Sequence, residues 1–160
     1  YDPGRVSRGD RRGDSRMSLE RLLNDYASRV GLDSVPRGRD GAYSLVFDGR
    51  YRLRFIPEGT NTAIIHAVVA TLPEDPLQRE EMADRLLTAA VGRMRKDREV
   101  LSLADDGRSL QLHVRMAVDI TPHAFSGLLT SFVNSLAFWK KLASTPVARL
   151  PPPGLGIAFR

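Results

Sequence analysis

The sequence predicts an α+β domain: a twisted antiparallel sheet with helices packed mainly on one face, in the order α-β-β-β-α-β-β-α. Three observations lead there. Apolar residues recur at helical spacing in three separated stretches and at alternate positions, or continuously, in five others. The strand-like stretches follow one another through hairpin signals rather than each leading into a helix, which is the pattern of an antiparallel sheet. No segment repeats at a fixed period.

The first helix is expected from about Ser18 to Val30, with Leu19, Leu22, Leu23, Tyr26 and Val30 on one face. Ser18 is its N-cap and Gly31 its stop. A loop with Pro36, Gly38 and Gly41 follows. Tyr43, Leu45 and Phe47 then alternate with polar or outward positions. Asp48-Gly49 marks a tight hairpin, because both central residues of that turn need φ > 0. The next strand places Tyr51, Leu53 and Phe55 on one side and Arg50, Arg52 and Arg54 on the other. Pro57-Glu58-Gly59 makes the following turn. The third strand, about Thr62 to Leu72, is apolar on both faces, Ile64, Val68 and Leu72 against Ile65, Ala67 and Val69, as suits a strand buried on both sides or one exposing a sticky face.

Pro73 to Pro76 ends that strand. A helix from about Leu77 to Lys96 follows, acidic near its start and basic near its end, as the helix dipole favours. Its stripe is Met82, Leu86, Leu87, Ala90, Val91 and Met94. Leu86, Ala90 and Met94 suit the sheet side, while Leu87 and Val91 point away. The stripe serves either as a homodimer seam or as one wide core face. Val100–Leu103 and Ser109–Val118 form a second hairpin around Asp105-Asp106-Gly107. Thr121-Pro122 opens the last helix, an N-cap followed by proline at the first helical position. That helix carries Phe125, Leu128, Leu129, Phe132, Leu136 and Trp139 to about Leu142.

The chain has 160 residues, 42% hydrophobic and 27% charged, which suits one globular domain. Three parts are expected: a flexible basic arm over 1–16, the α+β domain over 17–143, and a Pro/Gly-rich tail over 144–160. The arm holds two Arg-Gly-Asp triplets, at 8–10 and 12–14, which an Arg/Gly/Asp-rich tail produces by chance. It lacks the apolar middle of a secretory signal. No apolar run reaches the roughly 20 residues of a membrane span. The net charge of +5 belongs to the ends: residues 1–16 carry +2, residues 120–160 carry +4, and 17–119 carry −1. A basic patch on the body, which nucleic-acid binding prefers, is therefore not what the high pI reports.

Chemistry-bearing patterns are sparse. There is no cysteine, which removes disulfides, thiolate metal sites and cysteine nucleophiles. His66, His113 and His123 stand at no metal-ligand spacing. No phosphate-binding glycine loop and no serine nucleophile elbow occurs. Glu80-Glu81 and Asp105-Asp106 are explained by the helix dipole and turn chemistry. The expectation is a protein without enzymatic activity, cofactor or metal.

The Arg50/Arg52/Arg54 face is the best local surface feature. It is either a solvated face balanced by neighbouring acids or a basic stripe gripping RNA phosphates or an acidic polypeptide. A sheet-based RNA binder would also present aromatics outward to stack bases. Here Tyr43, Phe47, Tyr51 and Phe55 alternate inward.

Over Met17 to Ala143 the order of elements resembles the class I type III secretion chaperones, the Tir chaperone family. The residues that carry the resemblance are Leu19-x-x-Leu22-Leu23-x-x-Tyr26-x-x-x-Val30-Gly31-Leu32, the Tyr51–Phe55 strand and the apolar Ile64–Leu72 strand. The Met82–Met94 helix and the closing Phe125–Trp139 helix complete it. The resemblance implies a bacterial cytoplasmic homodimer without catalytic residues. It would bind the N-terminal region of a secreted effector in extended form, keep it competent for export, and deliver it to the secretion ATPase. Nucleic acid and membrane insertion are not expected. By position, Val46, Arg52, Arg54, Ile65 and Ala67 are the candidate partner-binding residues, and Leu87, Val91 and Met94 the candidate dimer interface. The remaining alternatives are the RNA-binding module and an adaptor of the same fold that binds a folded partner.

Overall fold

The computed structural model describes residues 18–146. The arm over 1–16, with its Arg-Gly-Asp triplets, Met17 and the tail from 147 onward lie outside the described residues.

Helix α1 (Leu19–Arg29) starts where Ser18 accepts a hydrogen bond from the Arg21 amide, and Gly31 leaves it with φ +76°. Three strands follow: β1 (Tyr43–Phe47), β2 (Tyr51–Glu58) and β3 (Thr62–Thr71). Asp48 and Gly49 take φ 50° and 67°, and the Arg50 amide donates to the Phe47 carbonyl at 3.1 Å. The turn is thus built by the two residues whose conformational tolerance predicts it.

Helix α2 runs Pro76–Arg93, then β4 (Val100–Leu103), β5 (Ser109–Ala117) and α3 (Pro122–Ser144). The expected start of α2 at Leu77 is one residue late and its end at Lys96 three residues late. Asp75 caps it by accepting from the Gln78 amide, with Pro76 at the first helical position. Thr121 caps α3 in the same way, accepting from the Ala124 amide. Helix α3 continues through Ser144, so the boundary expected after residue 143 falls inside it.

The five strands form one antiparallel sheet in the order β1-β2-β3-β5-β4. One face is covered. Phe55, Phe125 and Phe132 are fully buried there with Leu53, Ile65, Leu112 and Leu136. Tyr26 of α1 meets Phe125 edge-on at 5.5 Å, an arrangement that aromatic quadrupoles favour. Helix α3 lies against β2 and β3, with α1 and α2 packed beside it. Arg93 of α2 sits 4.2 Å over the Phe138 ring of α3 and pairs with Asp97 at 2.5 Å. Arg85 donates to the Thr145 carbonyl at 2.6 Å. The Arg93–Phe138 and Arg85–Thr145 contacts tie α2 to α3, and within α2 itself only Met82 and Leu86 are buried. Among the described residues no helix covers the opposite sheet face, which supplies the candidate site.

Candidate functional site

Strand register builds the open face row by row. Ser44 stands opposite Arg54, Arg54 opposite His66, His66 opposite His113, and His113 opposite Val100. One row of side chains therefore crosses all five strands. The two histidines, at no recognisable spacing in sequence, face each other at its centre. His66 Nε2 contacts Gln111 Oε1 at 2.7 Å, and Ser102 Oγ contacts His113 Nδ1 at 3.3 Å. Among the described residues no group of three or more His, Asp or Glu is arranged to hold a metal ion.

The neighbouring row contains Val46 opposite Arg52 on one side and Val68, Gln111 and Ser102 on the other. Val46 and Val68 are 47% and 48% exposed and give this row its apolar character. Arg52 is exposed between them. Arg54 pairs with Asp40, and Arg115 Nε pairs with Glu58 Oε2 at 2.6 Å. These are surface pairs and add little stability. They neutralise two cations of the face; among the described residues Arg52 has no acidic partner.

Three of the five expected partner-binding residues, Val46, Arg52 and Arg54, are on this face. Ile65 and Ala67 are not. They are 0% and 2% exposed and point into the core, Ile65 opposite Val114 and Ala67 opposite Leu112. The residues of β3 that reach the open face are Ile64, His66 and Val68. A strand apolar on both sides hides its facing in sequence; pairing with the unambiguous Leu112/Val114/Met116 face of β5 decides it.

A second apolar surface lies on α2. Leu87, Val91 and Met94 are 65%, 71% and 76% exposed and line up at i, i+4 and i+7 on one stripe. Met94 therefore joins the outward pair and does not face the sheet. Val100 and Leu103 of β4 are also half exposed. A hollow of about 320 Å³ between α2 and β4 is lined by apolar Ala90, Met94, Val100, Leu101 and Trp139 and by the charged side chains of Arg93, Asp97, Arg98 and Glu99.

The perturbed ionisable groups are structural. Burial raises the Tyr43 phenol; the Arg37 guanidinium 5.6 Å from its ring centre opposes this, and the Glu20 carboxylate reinforces it. Burial likewise raises Tyr26. Asp106 is lowered, first by the amides of Arg108 and Ser109 that donate to its carboxylate. Asp106 lines a hollow of about 510 Å³ with Thr71, Glu74, Arg79 and Arg108, and its carboxylate there is held by the amides of its own turn. The surfaces described are suited to holding another chain.

A family model described as the Tir chaperone protein (CesT) family matches residues 21–140. No curated protein matches the sequence. Among solved structures, a chain of the ExsC–ExsE complex superposes with a TM-score of 0.61 at 21% identity, covering 81% of this chain and 95% of that one. A chain of the complex between the Yersinia pestis type III secretion chaperone SycH and a stable fragment of YscM2 gives 0.55 at 16% identity, covering 76% and 99%. A chain of the HopA1–SchA chaperone–effector complex gives 0.58 at 10%, covering 75% and 91%. At these identities the likeness is one of fold.

Proposed function

The chain belongs to the Tir chaperone protein (CesT) family, and we propose that it is a type III secretion chaperone that binds the N-terminal segment of an effector in extended form and keeps it competent for export. The observation that carries this is the family match over residues 21–140, which spans every described element except the first residues of α1 and the end of α3. The similar folds in the ExsC–ExsE, SycH–YscM2 and HopA1–SchA complexes support it.

The physical basis is an open sheet face and exposed strand edges offered to an unfolded guest. An extended peptide adds main-chain hydrogen bonds at a sheet edge and sets alternate side chains into surface hollows. Many modest contacts over a long path hold a segment whose ordering costs free energy, with loose demands on its sequence. Val46, Arg52 and Arg54, with Ile64 and Val68 in place of Ile65 and Ala67, are the residues assigned to the client. The finer features belong to the same proposal. The chain works as a homodimer through Leu87, Val91 and Met94, in the bacterial cytoplasm, passes its client to the secretion ATPase, and catalyses no reaction.

The RNA-binding alternative keeps its arginines but, among the described residues, has no aromatic platform on which to stack bases. The outer positions of the five strands carry no Phe, Tyr or Trp, because Tyr43, Phe47, Tyr51 and Phe55 point inward or are buried. Co-expression with N-terminal segments of the secreted proteins of the same cell tests the proposal. A stable complex with one segment, retained at high salt, is expected. Binding that appears only with RNA and disappears as salt rises overturns it.

A further inference from the structure

Strands β2 and β3 pair only from Arg54↔His66 to Glu58↔Thr62. Yet β2 begins at Tyr51 and β3 continues to Thr71. Beyond Arg54 the two strands part. Tyr51, Arg52 and Leu53 pair with β1 alone, and β3 from Ala67 onward pairs with β5 alone. The sheet forks. On the β3 lip the register slips between Val68 and Ala70, which leaves Val69 outside the β3–β5 pairing. Its carbonyl is met instead by Lys140 of α3, whose Nζ donates across 3.4 Å. That bond is long for a charged donor and correspondingly weak.

Two hollows open at this fork and share Arg50 and Lys140. On the open face, about 170 Å³ is bounded by Arg52, Arg54, His66 and Val68. On the helix side, about 860 Å³ has an apolar floor of Tyr51, Val69, Met82 and Ala137, with Lys141 at its rim. Among the described residues no acidic side chain lines either hollow. Arg54 already has Asp40. The other four cations gather here, Arg50 and Arg52 from a stretch that is slightly acidic overall and Lys140 and Lys141 from α3.

Strand edges left without a neighbour are templates for a further strand. Side chains of an extended segment alternate between the two faces, so one set can enter the apolar floor while the other meets the cations. We propose that the β2–β3 fork seats an extended client segment in which apolar residues alternate with Asp or Glu, a carboxylate taking over Lys140 from the Val69 carbonyl. The source of the segment rests on the chaperone function proposed above; the charge and location of its seat do not.

The probe is a fluorescein-labelled peptide of about ten residues alternating valine and glutamate, with a valine–lysine peptide as control. Anisotropy is measured on the full chain. The glutamate peptide is expected to bind and the lysine peptide not. Lys140→Glu and Arg52→Glu are each expected to weaken binding at least about tenfold. Arg52 is exposed, so its variant reports even if losing the Lys140 tie unfolds the chain. A benzophenone side chain at Val68 is expected to cross-link the glutamate peptide, and one at Val100 not to.

Equal binding of the two peptides overturns the proposal. So does indifference of a folded Arg52→Glu chain, or cross-linking of Val68 to residues 147–160 of the same chain without competition by peptide. Capture of a natural client by a chain that fails these peptide tests removes the fork and leaves the chaperone function standing. Peptide binding at the fork by a chain that captures no client does the reverse.

Discussion

The stripe on α2 gives the sharpest quantitative test. Leu87, Val91 and Met94 are 65%, 71% and 76% exposed. Full burial of such a side chain is worth about 1.5–3 kcal/mol. Covering what is now exposed therefore yields about 5 kcal/mol per protomer and about 10 kcal/mol over a symmetric pair. Association costs about 4–15 kcal/mol, so these three residues, with Val100 and Leu103 at the margin, are on the scale a stable dimer needs. Leu87→Glu removes about 1.5 kcal/mol per copy and about 3 kcal/mol per dimer, which weakens dimerisation roughly a hundredfold before the cost of the new carboxylate is counted. Because Leu87 makes little contact within its own chain, the fold survives. Sedimentation velocity over a concentration series is expected to show a wild-type dimer and a folded Leu87→Glu monomer. A wild-type monomer, or a variant dimer of unchanged strength, refutes the seam.

Three further outcomes are expected. Ile65→Glu unfolds the chain because it buries an unpaired charge, whereas Val68→Glu on the opposite face of β3 keeps the melting transition and lowers client affinity; equal melting points would show the facing to be wrong. Arg52→Glu with Arg54→Glu reduces client retention without loss of far-ultraviolet circular dichroism, since both side chains lie on the open face and Arg54 gives up only an exposed pair. Asp106 has its pKa held below the usual carboxylate value by the Arg108 and Ser109 amides, so the charged carboxylate favours the folded state. That contribution is complete above the unfolded value and is lost as pH falls through the lower folded one. Asp106→Ala is therefore less stable than wild type at neutral pH, and the difference closes in acid; a gap that persists below the folded pKa contradicts this.

Much of the fold was legible because its signals are local. Ser18 and Thr121-Pro122 announce helix starts through their own side chains and ring geometry, and Asp48-Gly49 announces a hairpin through the φ values it tolerates. The start of α2 was misplaced where two local signals competed: Pro73 and Pro76 read as strand-ending residues, while Asp75-Pro76 is also a cap and first turn. What was not legible is non-local. The facing of β3 depends on its partners, since Ile64 and Val68 are as apolar as Ile65 and Val69. The histidine pair exists only through the β3–β5 register. The fork depends on where β2–β3 pairing stops and on a one-residue slip at Val69, neither of which any short window of sequence contains.

Photocross-linking from the open face to a co-expressed effector N-terminal segment tests the central claim most directly. With benzophenone at Val46 and at Val68, adducts are expected at successive positions along an otherwise non-globular segment, in a complex that survives high salt. A client that cross-links only through the surface of a folded domain, or that never reaches either position in a stable complex, contradicts it.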